Sequence, residues 1–178
     1  MRQVLMAALT FAASGFAAAA CLAHEAMPPP LVLEGAYRLV SSTRTIVATG
    51  EVEDSFGSQP TGYILYGADH RMMVLIVRAQ RPKATFATMT PADKAGLFDT
   101  MAAYGGTYSF DGRTVTHHID ISWNGILTGT DVVRSVAVEG DRLIYTTGPG
   151  PAPTDGKIST SKLVWERVRS APTTVQQQ

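Results

Sequence analysis

Residues 107–123 read TYSFDGRTVTHHIDISW. β-Branched and aromatic residues lie on both sides of Asp111-Gly112, a dipeptide that favours the tight turn of a β-hairpin because glycine adopts positive φ without steric cost. We therefore predict strands at Thr107–Phe110 and Arg113–Trp123, joined by this turn. This stretch indicates the fold, because the same pattern of short strands separated by glycine-containing turns recurs along the chain from Gly35 to Val168.

Further strands are predicted on both sides of this hairpin. They cover residues 36–49, 62–66, 71–77, 128–139, 141–147 and 161–168, while residues 50–60 and 148–153 are expected to form loops. One helix is predicted after Thr90, whose hydroxyl is placed to cap a helix that begins at Pro91. Its apolar residues follow at helical spacing, namely Ala95, Leu97, Phe98, Met101 and Ala102.

This pattern predicts an all-β fold, a roughly eight-stranded antiparallel barrel with one short helix. About eight strands in up-and-down order leave an interior just wide enough for side chains or one small ligand. An open sandwich, or a half-barrel with the helix on one side, fits the same number of strands.

The composition excludes some partners. Lys plus Arg and Asp plus Glu both number 15, so no net field draws the protein to nucleic acid or to an acidic membrane surface. The single cysteine, Cys21, forms no disulfide within the chain, and the 45% apolar residues must supply the core.

The ends of the chain are predicted to lie outside the domain. Residues 1–23 combine Arg2 with an apolar, alanine-rich stretch that is typical of a signal peptide, with cleavage after Ala20 or Ala23, or with Cys21 as a lipid anchor. Residues 24–34 form a proline-rich spacer, residues 35–169 the barrel, and residues 170–178 a disordered polar tail. The protein is therefore expected in the periplasm or outside the cell, without a membrane span.

Several segments, taken in order, resemble one family. The opening strand is Gly35–Ser41 and the closing strand Lys162–Val168. Between them lie Gly62–Tyr66, Tyr104–Tyr108, Asp111–His118, Gly129–Asp131 and Gly140–Leu143. Together they resemble a bacterial and fungal lipocalin-like domain family with a calycin-type barrel, over nearly the whole mature chain. The resemblance implies a fold and a cavity.

The sequence departs from typical lipocalins at Tyr37, where those proteins carry Trp. A tyrosine ring can also receive a stacked arginine, and Arg167 is the candidate for that contact.

Two adjacent histidines lie in the Arg113–Trp123 strand. Neighbouring strand residues point to opposite faces, so only one of His117 and His118 can face the interior. The apolar residues Val115, Ile119 and Ile121 share the parity of His117, which favours His117 as the inward one if the interior is apolar; a polar interior would reverse the assignment. It is interpreted either as a hydrogen-bonded core residue or as a group that binds a ligand carboxylate or moves a proton. Adjacent strand residues diverge, so no zinc site is predicted.

Arg134 alternates with Val132 and Val136 and is therefore predicted to place a guanidinium on an apolar face. A buried charge needs a partner, either an internal carboxylate such as Asp120 or Asp131, or the acidic head of a ligand. Inward-facing tyrosines would orient a ligand through their hydroxyl groups or pack in the core, and the candidates are Tyr63, Tyr66, Tyr108 and Tyr145.

These features favour a binding protein over an enzyme. We expect an exported lipocalin-like protein that binds a small apolar or amphipathic ligand in the barrel cavity, without cofactor, metal or designated catalytic residues. One alternative is a cofactor-independent cyclase or isomerase that acts on a small metabolite in the same cavity. The other is an envelope structural or interaction protein with a filled barrel.

Overall fold

The computed structural model describes residues 31–81, 83, 85–152 and 155–169. The predicted signal peptide, Cys21, most of the spacer and the polar tail lie outside these residues. The elements in the described ranges are β1 (Gly35–Ile46), β2 (Val52–Asp54), β3 (Thr61–Tyr66), β4 (Arg71–Val77), α1 (Pro91–Asp99), β5 (Met101–Phe110), β6 (Thr114–Ser122), β7 (Asp131–Glu139), β8 (Arg142–Pro151) and β9 (Ile158–Arg167).

The strands form one closed antiparallel sheet. Their order is β2-β1-β3-β4-β5-β6-β7-β8-β9, and β1 also pairs with β9. Without the short β2, which pairs only with Thr43–Thr45 of β1, the nine-stranded sheet leaves eight strands in a ring. The predicted all-β barrel with one short helix is confirmed.

The strand β1 closes the ring because it is long enough to serve two neighbours. Its first residues pair with β3, and the register with β9 runs from Tyr37 opposite Arg167 to Ile46 opposite Ser159. A register shift between Leu39 and Ser41 bends the strand, as a β-bulge does.

Arg167 stabilises the pairing of β1 with β9 at the start of β1. Its guanidinium carbon lies 4.7 Å from the centre of the Tyr37 ring, which confirms the predicted stacking. It also donates to the Tyr37 hydroxyl and, at 2.8 Å, to the Glu34 carbonyl oxygen. Gly35 is required here, since its φ is +128° and an added Cβ would lie 2.6 Å from Arg167 Nη1.

The helix is shorter than predicted. It ends at Asp99, and Met101 and Ala102, which the spacing assigned to it, begin β5 and pair with Val77 and Ile76. Helical periodicity failed there because pairing with β4 outweighs the local pattern. The predicted cap is present, since Thr90 Oγ1 accepts from the Asp93 N–H at 3.2 Å.

Two predicted loops contain strand. Val52–Asp54 of the first pairs with β1, and Gly148–Pro151 of the second extends β8 against β9 past an irregularity between Thr147 and Gly150. Neither segment has the alternating apolar pattern of a buried strand, because both lie at the rim of the barrel. No helix in the described ranges is long and apolar enough to cross a membrane.

The core is formed by alternate residues of each strand, whose side chains point into the barrel interior. Its most enclosed large side chains are Tyr37, Ile64, Tyr145 and Trp165, each exposed by only 1%. The side chains on the other face of the same strands point to solvent, as the period of two requires.

We expect Gly106→Ala to lower the free energy of unfolding by about 1–3 kcal/mol, as overpacking does. The added Cβ would clash with the His118 carbonyl oxygen and lie 3.0 Å from the Asp120 nitrogen, both backbone atoms of β6. Gly148→Ala is the matched control, because its Cβ would meet nothing within 4 Å. Urea denaturation measures both, and equal midpoints would contradict the prediction.

We expect Arg167→Met to lower the free energy of unfolding by about 1–2 kcal/mol, because it removes a cation–π contact and the hydrogen bonds that fasten Glu34. Arg142→Met on the neighbouring strand is the control. Its ion pair with Glu166 spans 3.7 Å on the surface, so its loss should change stability by less than about 0.5 kcal/mol. Thermal and urea unfolding curves distinguish the two variants.

Candidate ligand-binding site

His117 lies at the centre of the interior. It pairs with Tyr108 of β5 and Val132 of β7, and its side chain is 0% exposed. His118 points outward, where its Nδ1 lies 2.8 Å from Asp131 Oδ1. His117 is thus the inward histidine, as the parity of Val115 and Ile119 indicated. The same parity was wrong for Ile121, which is 65% exposed because the register shift between Ile119 and Ile121 turns it outward. The described residues contain no group of three His, Cys, Asp or Glu side chains that could hold a metal ion.

Three side chains contact His117, and a fourth joins them through Tyr66. Its Nε2 lies 2.6 Å from the Tyr66 hydroxyl oxygen, and Tyr145 donates to that same oxygen at 3.0 Å. On the other side of the ring, Nδ1 lies 3.2 Å from Arg134 Nη1 and 3.3 Å from the Tyr104 hydroxyl. We call these five residues the interior network.

The guanidinium of Arg134 sets the tautomer of His117. A guanidinium only donates, so Nδ1 must be the unprotonated, accepting nitrogen. The ring hydrogen is then on Nε2 and is donated to Tyr66. The Tyr66 oxygen accepts from both His117 and Tyr145, and no described residue accepts the hydroxyl hydrogen of Tyr66 itself. The Tyr66 hydroxyl is therefore a spare donor, in addition to the N–H groups of Arg134 that do not contact His117.

The environment keeps His117 neutral. Burial, and then the nearby charges of Arg134 and His118, lower the pKa of His117 to about 2. Burial also raises the pKa of Tyr66 well above its usual value, and it raises the pKa of Tyr145. The network thus contains neutral hydroxyls, a neutral imidazole and the cation of Arg134.

Arg134 has no carboxylate partner within the described part of the chain. The expected internal pair with Asp120 or Asp131 is wrong, because Asp120 bonds to Arg71 and Asp131 to His118 on the outer face. The parity of the strands explains this difference. Asp131 is an odd number of residues from the inward Arg134, and Asp120 is an odd number of residues from the inward His117, so both carboxylates point outward.

The predicted tyrosines separate into two groups. Tyr66 and Tyr145 belong to the interior network, and the ring of Tyr108 packs against Tyr66 with centroids 4.7 Å apart while its hydroxyl donates to the Gly67 carbonyl at 3.2 Å. Tyr63 does not join them, because it lies on the outer face of β3 and is 51% exposed.

Tyr104 is the member of the network that our site prediction missed. It shares the parity of Tyr108 in β5, so the alternation of that strand could have identified it. The prediction that a helix continues beyond Met101 concealed this signal.

Part of the interior is accessible to solvent. Val132, Val136 and Leu163 pack against the core but remain partly exposed, as does Arg134 between the two valines. Elsewhere in the barrel, inner-facing residues such as Val74 of β4 and Ile119 of β6 are exposed by only 2%. Water therefore reaches the side of the interior formed by β7 and β9, where the guanidinium of Arg134 lies.

We expect the free energy of unfolding to fall as the pH falls below the ordinary His pKa of about 6.5, because the unfolded chain binds a proton that folded His117 excludes until about pH 2. The part of the free energy of unfolding that depends on neutral His117 is fully present above about pH 6.5, and about 2 kcal/mol of it is lost by about pH 5. His117→Gln should remove this dependence, which urea denaturation at several pH values measures.

His70→Asn is the matched control for this pH profile. His70 is exposed in the turn between β3 and β4 with φ +59°, a backbone conformation that Asn tolerates. This variant should keep the wild-type slope. A His117→Gln profile as steep as that of the wild type would contradict the assignment.

No curated protein matches the chain, whereas one family model does. The family model of the lipocalin-like domain matches residues 34–168, which include every strand of the barrel. The chain therefore belongs to the lipocalin-like domain family.

Proposed function

We propose that this protein binds a small amphipathic molecule with an acidic head, and that Arg134 holds the head inside the barrel. The observation that carries the proposal is a guanidinium on the inner wall whose only described side-chain partner is a neutral histidine. A partly buried cation without a counter-ion is costly, and a ligand carboxylate would neutralise it through charge-assisted hydrogen bonds.

The rest of the interior supports an amphipathic rather than a fully polar ligand. The side chains along the accessible side are apolar above and below Arg134, and an acyl or aromatic body would cover them. The spare hydroxyl hydrogen of Tyr66, on the other side of the His117 ring, supplies a second donor that favours an acceptor atom in the ligand.

The cyclase or isomerase alternative has less support. A general acid or base works best with a pKa near the operating pH. The pKa of His117 is lowered to about 2 and that of Tyr66 is raised, so neither group exchanges a proton readily near neutral pH. The same groups suit binding, since their charge state does not change over the ordinary pH range.

Export remains part of the proposal. It rests on the basic start and the apolar, alanine-rich stretch of residues 1–23. Intact mass measurement of the protein from its native envelope tests it, because the mass gives the cleavage site and any lipid on Cys21. A chain that retains Met1 would contradict this part.

We expect a fluorescent polyene fatty acid to bind at least about tenfold more tightly than its methyl ester, since only the acid carries the charge that Arg134 needs. Arg134→Met should weaken binding of the acid by about tenfold or more and leave the ester unchanged. Fluorescence titration measures both ligands.

Arg113→Met provides the control for this titration, because Arg113 is exposed in the turn between β5 and β6. It should bind both ligands as the wild type does. Equal affinity of the wild type for acid and ester would contradict the assigned role of Arg134. No binding of either ligand, with no small molecule released on denaturation in native mass spectrometry, would favour the filled-barrel alternative.

A further inference from the structure

One region of the outer surface is apolar across four adjacent strands. We call it the outer apolar patch, and its members, exposed by 46% to 65%, are Tyr63, Leu65, Met73, Leu75 and Ile121. They are contiguous through the strand register. Leu65 pairs with Met73, and both Met73 and Ile121 pair with Gly105.

The remainder of the outer surface differs from this patch. The outer faces of β1, β8 and β9 carry charged side chains, such as Arg38 and Arg142, which both form ion pairs with Glu166. Other exposed apolar side chains, such as Val133 and Val138 of β7 and Ile158 of β9, lie outside the patch, whereas the five members of the patch adjoin one another across β3 to β6. A contiguous exposed patch of this kind marks an interaction site more often than scattered surface residues do.

We propose that the outer apolar patch is the interface of a homodimer, in which a two-fold axis lies along β5. The patch exposes on the order of 500 Å², and a standard interface buries about 800 Å² on each partner, so the patch with its polar margin suffices for a dimer of moderate affinity. The same face serves both subunits in a two-fold interface, so no other surface is required.

The centre of the patch allows a close approach. The strand β5 contributes Ala103 and Gly105, which have little or no side chain. A Cβ built at Gly105 would lie 3.7 Å from Ile121 and 3.9 Å from Met73, so these two side chains flank a shallow depression along the proposed axis. Small residues on an axis let two sheets pack without a gap between them.

The charges at the edge of the patch fit this axis. Arg71 of β4 and Asp120 of β6 pair across β5 at 2.5 Å, with their side chains 59% and 55% exposed. A two-fold axis along β5 places β4 of one copy against β6 of the other. Each Arg71 then faces the Asp120 of the second copy, so two ion pairs can form between subunits. A patch that binds an anionic membrane surface would instead be expected to carry several cations at its edge.

Sedimentation velocity of the purified protein from about 1 to about 200 μM tests the proposal, and we expect a reversible dimer with micromolar affinity. Met73→Lys should weaken the dimer at least about a hundredfold, because it places a charge in a desolvated interface. Val133→Lys is the control, since Val133 is 52% exposed on the outer face of β7 and outside the patch. It should dimerise as the wild type does.

Charge reversal tests the axis itself. Arg71→Asp and Asp120→Arg should each weaken the dimer by roughly tenfold, and the double variant should restore it to within about threefold. Circular dichroism shows whether each variant is folded, and Leu65→Lys replaces Met73→Lys if the latter is not.

Three results would overturn the proposal. They are a wild-type monomer over the whole concentration range, a Met73→Lys dimer as stable as the wild type, and a double variant as weak as the single ones. A monomer that binds lipid vesicles through Met73 would likewise assign the patch to a membrane instead of to a second copy.

Discussion

The pairing of β1 with β9 is the constraint on which the rest of the structure depends. Without it the strands would form an open sheet with two exposed edges, which invite pairing with other chains. The bulge after Leu39 lets β1 curve around the barrel, and Arg167 holds the start of the strand against Tyr37. Closure also defines an inside, so it determines which side chains must find partners away from bulk water.

The enclosed interior explains the chemistry of His117. Buried polar atoms are stable only when they are hydrogen-bonded, and His117 meets this requirement through Tyr66, Tyr104 and Arg134. The guanidinium in turn makes the imidazole an acceptor, and burial together with the charge of Arg134 keeps it neutral. The network thus satisfies the histidine but leaves the charge of Arg134 uncompensated, and this imbalance is the physical basis for proposing an acidic ligand.

The two proposals concern opposite faces of one sheet. In β6, His117 faces the interior network while Ile121, beyond the register shift, joins the outer apolar patch. The faces share backbone but no side chains, so a substitution on one face leaves the contacts of the other in place. Ligand binding and dimerisation can therefore be tested independently, and the failure of one proposal leaves the other unaffected.

The sequence by itself determined those features of the fold that local residue patterns control. Strand alternation and the Asp111-Gly112 turn predicted an antiparallel barrel, and parity placed His117 inside. It did not predict that β5 begins at Met101 or that Ile121 turns outward, because both depend on pairing with neighbouring strands. Only the tertiary structure decided that Arg134 meets His117 rather than a carboxylate. Contacts between residues on different strands depend on register, and closure of the whole barrel sets that register.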